Sequence, residues 1–168
     1  TGFSLSEIAR ALKATYGWKE SYEVIFSRYL TLLHHHYVLS PLTFPGVEEV
    51  IRYAKQQGML ISLVTSSPAL LAYEVLKKVN LFPLFDYIIT PEGLPQSKPN
   101  PAIYLKALQA TGVSANEALA IEDSQNGIRA AQGAGIPTLS FRFPGGTLRV
   151  DSWGEILKFL TEREHESV

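Results

Sequence analysis

The chain has 168 residues, 46% of them hydrophobic and 18% charged, with 15 Lys and Arg against 16 Asp and Glu. That length holds one domain with a sizeable core, and the near-neutral balance leaves no basic footprint for nucleic acid or an anionic membrane surface. The sequence contains no Cys, which excludes a disulfide framework and a thiolate zinc site and fits a cytoplasmic protein, and no apolar run is long enough to span a bilayer.

Ser4-Leu5-Ser6-Glu7 fits a capping box, with Ser4 as the N-cap and Glu7 reaching back. A helix is predicted from there to about Tyr16, closed by Gly17. Lys19 to Val38 reads as a longer helix, with Tyr22, Ile25, Phe26, Tyr29, Leu33 and Tyr37 at helical spacing. It contains His34-His35-His36. Three successive histidines point in three directions around a helix and cannot share one metal, so they read as a solvated face or as part of substrate recognition. Pro41, Pro45 and Gly46 then punctuate a break, which divides a helical segment, 1–42, from a core, 43–168.

Pro45 suits a helix start, and that helix runs to about Gln57, closed by Gly58. Leu60 to Val64 has the composition of a buried parallel strand and ends in Thr65-Ser66-Ser67. Pro68 opens a helix to about Val79, and Phe85 to Thr90 is the next strand. Pro91 to Ser97 is a loop. Lys98-Pro99-Asn100-Pro101 leads into a helix ending before Gly112, and Ser114 to Glu117 is a second capping-box-like segment. A strand to Glu122, a helix from Gly127 to Ala134, a strand from Pro137 to Phe141, a short edge strand from Leu148 to Val150 and a helix from Ser152 to Glu162 complete the order. Repeated strand–helix units imply a parallel sheet with helices on both faces. Right-handed crossovers then put every strand's C-terminal end on one edge, which gathers Thr65, the loop before Lys98, and Glu122-Asp123.

Three segments on that edge carry chemistry. In Ile121-Glu122-Asp123-Ser124-Gln125-Asn126-Gly127 a strand delivers two adjacent acids into a strand-to-helix turn. Partly buried carboxylates are costly unless paired or metal-bound, and Mg²⁺ with its oxygen ligands is a natural compensation. The alternative is a turn with Asp123 or Ser124 as a helix N-cap. After Val64, the Thr65 hydroxyl and the N–H groups that follow it make a phosphate or oxyanion cradle, whereas Ser67 as an N-cap accounts for part of that pattern without function. Lys98, stiffened by Pro99 and by Pro101 beyond Asn100, can neutralise phosphate oxygens and keep a nearby carboxylate ionised, or it is an ordinary surface lysine.

In this order, strand–Thr65, then Lys98-Pro99, then Glu122-Asp123-Ser124-x-x-Gly127, the chain resembles the haloacid dehalogenase superfamily, in its branch of phosphatases and β-phosphoglucomutase-like enzymes with a helical cap. Pro45-Gly46-Val47, Phe85-Asp86-Tyr87-Ile88 and Ala130-Ala131-x-x-Ala134-Gly135 match that branch as well. The resemblance implies a three-layer α/β/α sandwich around a parallel, Rossmann-like sheet, with a partial helical cap at 1–42. It implies that Thr65 hydrogen-bonds the transferring phosphoryl group, Ser66 adds its N–H, Lys98 bridges phosphate and nucleophile, and Glu122 and Asp123 hold Mg²⁺. Ser124, Asn126 and Asn100 are outlying candidates. The implied partner is a small phosphorylated metabolite.

One departure is large. The family's Asp-x-Asp, with its nucleophile and its general acid/base, is absent. The acids before Thr65 are Glu7, Glu20, Glu23, Glu48 and Glu49, all in predicted helices. The family's first strand, which carries that motif mid-sheet, is therefore expected to come from a preceding segment of a longer gene product or from a second chain, and the first residue, Thr1 rather than Met, accords with the former. The implied function is Mg²⁺-dependent hydrolysis of a phosphate monoester. The alternatives are a sugar-phosphate mutase and a non-catalytic phosphate-binding or scaffold domain. The Glu-Asp pair argues against the halide-releasing members, which need no magnesium.

Overall fold

The computed structural model describes residues 5–39 and 41–165. Two helices come first, α1 (Leu5–Tyr16) and α2 (Tyr22–Val38). Gly17 has φ +62, which suits the glycine that closes α1. The Ser4 half of the expected capping box lies outside the described residues, as do the side chains of His36 and Tyr37. The second helix starts at Tyr22 rather than near Lys19, because Ser21 is its N-cap and accepts a hydrogen bond from the Val24 N–H. The two helices pack on each other, and α2 also rests on a helix of the core.

The core alternates helix and strand: α3 (Val47–Gln56), β1 (Ser62–Val64), α4 (Ala69–Lys78), β2 (Tyr87–Ile89), α5 (Ala102–Thr111), β3 (Ala120–Glu122), α6 (Gln125–Gly133), β4 (Thr138–Phe141), β5 (Leu148–Val150) and α7 (Trp153–His165). Pro45 does not open α3. The chain turns first through Gly46 at φ +85, a left-handed conformation that glycine adopts without strain.

The strand expected over Leu60–Val64 is reduced to Ser62–Val64 and is half-buried, with Leu60 exposed. Asp86 causes the late start: its carboxylate takes the Ile61 N–H at 2.8 Å and the Lys55 ammonium at 2.7 Å, so that N–H is not available to a ladder. Those contacts, the Ile61 N–H first, keep the Asp86 carboxyl below the usual carboxylate range. Ser67 is not the N-cap of α4. Its N–H donates to Thr65 Oγ1, Pro68 takes the cap position, and the first free helical N–H, of Ala69, donates to Glu92 Oε1 at 2.8 Å.

All strand pairs are parallel, as the repeated strand–helix units predict. They form two ladders, β1–β2 and β3–β4–β5. Side chains alternate across them. Val64, Ile89 and Ala120 pack against α5 and α6, while Leu63 and Ile88 face α3 and α4, and Leu119 and Ile121 face α3 and α7. Both ladders thus lie between the same two helical layers, an α/β/α sandwich. β4 is buried along its whole length, as the middle strand of three. β1 and β3, by contrast, each have a ladder partner on one side only among the described residues. The Thr65 N–H bonds Ile89 on β2, so by the two-residue alternation of a strand the Val64 carbonyl faces away from β2.

Candidate active site

That outward-facing carbonyl is where the rim residues meet. Lys98 Nζ donates to Val64 O at 3.1 Å and to Glu122 Oε1 at 2.5 Å. One ammonium therefore touches the residue before Thr65 and the residue before Asp123, and links the two ladders. Lys98 is 5% exposed and Glu122 7%, so this is a buried ion pair and not a surface contact. Such a pair survives only when its remaining polar atoms are satisfied. Tyr104, from the first turn of α5, donates its hydroxyl to the same Glu122 oxygen, and the ammonium lies 5.1 Å from the centre of the Tyr104 ring. Burial raises the Tyr104 hydroxyl above its ordinary value, and the Glu122 charge pushes the same way, so it stays protonated as a donor.

Gly127 completes the arrangement. A Cβ at this position would run into the Glu122 carboxylate, so only glycine lets α6 begin there. Ser124 is buried and caps α6, its hydroxyl accepting the Gly127 N–H at 3.1 Å. Of the two cap candidates, Asp123 and Ser124, the cap is Ser124. Asp123 is left exposed at the end of β3. The adjacent acids thus have separate surroundings: Glu122 is turned inward and neutralised by Lys98, and Asp123 faces solvent.

The other sequence candidates fall around this knot. Thr65 Oγ1 accepts the Ser67 N–H at 3.0 Å, which leaves its own hydroxyl hydrogen to donate. Ser66 is half-buried on the same loop. Asn100 serves its own loop: its oxygen accepts the Ala102 N–H, and its amide donates to Gln96. Asn126 is half-buried in the first turn of α6. The Lys98–Pro99 peptide is cis. His34 Nε2 lies 3.2 Å from Glu74 Oε2 and ties α2 to α4, so this histidine joins the helical pair to the core. Tyr104 was missed by sequence reasoning. The available signal is a tyrosine within the inward stripe Ile103, Tyr104, Ala107, whose buried hydroxyl needs a partner.

A cavity of about 800 Å³ opens beside these residues, between the helical pair and the loop 91–100. Glu7, Arg10 and Phe26 line it from α1 and α2, and Ser66, Ser97 and Asn100 from the rim. Ser97 Oγ donates to Glu7 Oε2 at 2.7 Å across the gap. For a metal, no group of three or more His, Cys, Asp or Glu stands together among the described residues. Mg²⁺ needs only one or two protein carboxylates when phosphate and water supply the rest, and Asp123 fits that use. The arrangement can hold an anion: a fixed ammonium, a hydroxyl and loop N–H groups lie at the ends of two parallel strands.

Known proteins share this arrangement of elements. The fold superposes on the crystal structure of β-phosphoglucomutase from Clostridium difficile with a TM-score of 0.78, over 99% of this chain and 79% of that one, at 24% identity. Hexitol phosphatase B of Escherichia coli is 35% identical over 116 residues, 69% of this chain and 50% of the relative. Phosphoglycolate phosphatase of Pseudomonas putida is 30% identical over 102 residues, 61% of this chain and 38% of the relative. The chain spans half the length or less of these two relatives. The model of the haloacid dehalogenase-like hydrolases matches residues 1–141, from α1 through β4, and the chain belongs to that family.

Proposed function

We propose that this chain is part of a Mg²⁺-dependent phosphatase acting on a small phosphate monoester. The observation that carries the reading is the buried Lys98 ammonium, fixed between the strand that precedes Thr65 and the strand that precedes Asp123. Two of its three protons go to Val64 O and Glu122, and the third is directed to a phosphoryl oxygen. The Thr65 hydroxyl donates to a second oxygen, and the Ser66 N–H to a third. Asp123 holds Mg²⁺, which supplies further neutralisation of the charge that develops on the phosphoryl group. Glu122 holds Lys98 in place, and Tyr104 and Gly127 hold Glu122.

The nucleophilic carboxylate comes from a strand seated in parallel between β1 and β3, provided by a longer gene product or by a second chain. Support for this seat lies in the ladders: β1 and β3 share both helical layers, and each has a partner on one side only among the described residues. The helices of residues 1–42 act as a cap that covers the cavity and excludes water during transfer.

The test is turnover of p-nitrophenyl phosphate by the full-length gene product with and without Mg²⁺. Metal-dependent turnover that Asp123→Ala abolishes is the expected result. Metal binding without any turnover would identify a phosphate-binding scaffold instead, and recovery of an isomerised sugar phosphate in place of inorganic phosphate would identify a mutase. Residues 1–168 alone are expected to be inactive, because no Asp precedes Thr65.

A further inference from the structure

The loop between β1 and α4, which carries Thr65 and Ser66, is pinned at both ends to β2 and the residues that follow it. At its start the Thr65 N–H donates to Ile89 O at 3.1 Å. At its far end the Ala69 N–H donates to Glu92 Oε1 at 2.8 Å. Ile89 and Glu92 belong to one short stretch of chain, which therefore fixes both limits of the span 65–69. Inside the span the Ser67 N–H goes to Thr65 Oγ1, and Pro68 has no N–H to give. We infer that Glu92 is a positioning residue for phosphoryl binding: its carboxylate sets where the Ser66 N–H and the Thr65 hydroxyl stand relative to Lys98. The inference rests on the phosphatase reading above.

Glu92 is itself held. The buried Thr90 donates its hydroxyl to the Glu92 carboxylate. Lys106, from α5, donates to Thr90 O at 3.2 Å and to Glu92 O at 3.1 Å, which fixes the backbone on which the carboxylate stands. The same helix supplies the Tyr104 hydroxyl to Glu122, and Glu122 holds Lys98. Helix α5 thus supports both arms of the phosphate seat, one through Tyr104 and the other through Lys106. A carboxylate beside an anion site would ordinarily repel the anion. Here the charge is committed elsewhere. Loss of water alone would raise the Glu92 carboxyl, but the Thr90 hydroxyl, the N–H groups of Ala69 and Glu92 and the Lys106 charge outweigh it and hold the group below the usual carboxylate range. It is therefore ionised at neutral pH, and an ionised acceptor holds an N–H more firmly than a neutral one.

A helix cap that only stabilises α4 would change how much protein is folded, and with it the apparent kcat. It would leave KM and the inhibition constant of inorganic phosphate where they are, whereas a positioning residue moves both. The experiment uses the full-length gene product with Mg²⁺, p-nitrophenyl phosphate as substrate and inorganic phosphate as inhibitor. Glu92→Ala is expected to raise both constants by about fivefold or more, and Glu92→Gln, which keeps an acceptor for the Ala69 N–H, to recover most of that loss. A smaller rise in Glu92→Ala, or a Glu92→Gln as impaired as Glu92→Ala, overturns the assignment. If Glu92→Ala does not fold, Lys106→Met decides, because it leaves the carboxylate in place and removes its support. It is expected to raise the same constants by about twofold or more, and a smaller rise overturns the assignment. Failure of the phosphatase reading looks different, since the wild type then does not turn over p-nitrophenyl phosphate at all.

Discussion

Under the rim, Lys98, Glu122 and Tyr104 meet with their side chains out of water, whereas His34 and Glu74, which join α2 to α4, meet in the open with side chains 51% and 38% exposed. Both contacts tie together segments far apart in the chain. They differ in what fixes them. In the buried knot each group has few alternatives to its partner, because an unpaired charge or hydroxyl there has no water to turn to. At the helical pair, water competes for both ends of the contact, and a broken pair costs little. The Lys98–Glu122 pair at the rim therefore sits on rigid geometry, whereas the helical pair is joined to the core through a contact that can adjust.

Removing one partner from the knot tests this contrast most severely. Lys98→Met leaves the Glu122 carboxylate buried and uncompensated, and is expected to destabilise the full-length product by about 3–5 kcal/mol in urea unfolding. Loss of less than about 1 kcal/mol would mean that water reaches the pair. Gly127→Ala comes next. Its methyl group would force the Glu122 carboxylate out of place, for an expected cost of about 2–3 kcal/mol by the same measurement together with a drop in turnover. An unchanged urea midpoint would show that Glu122 can relocate freely.

Tyr104→Phe removes a single hydroxyl from the knot and leaves the ring over Lys98. A loss of about 1–2 kcal/mol is expected, since the buried carboxylate then lacks one of its donors. Its effect should fall on kcat more than on KM if the hydroxyl steadies Glu122 and Lys98 during transfer. The smallest effect is expected on the exposed side. His34→Ala should change stability by less than about 1 kcal/mol, and a larger loss would show that the helical pair is clamped to the core more firmly than its exposure implies.

Much of the fold was legible in the chain. Gly17, Gly58 and Gly112 end helices where the apolar spacing runs out, and each has a positive φ. The alternation of Leu119 and Ile121 with Ala118 and Ala120 already contained the two faces of β3, and the structure puts them against different helical layers. The order of Thr65, Lys98 and Glu122-Asp123 at strand ends placed the chemistry on one rim, and Lys98 does reach the residues preceding Thr65 and Asp123. Some boundaries moved for local reasons, as at Ser21 and Gly46, and others moved where a distant group intervened. Ser67 loses the N-cap position because Glu92, from the following strand's loop, takes the first N–H of α4. The start of β1 is shortened by Asp86, 25 residues further on.

From the sequence alone came the periodicities, the breaks and the residue types at the strand ends, because these depend on local backbone preference and on which face of an element is apolar. Only the tertiary structure decided that Glu122 turns inward to Lys98 while Asp123 stays in solvent, that Tyr104 belongs to the same cluster, and that Glu7 of the first helix stands across a cavity from Ser97. Each of these depends on burial and on a partner distant in sequence. A carboxylate's role follows from what surrounds it, and neighbouring positions in a chain can enter quite different surroundings.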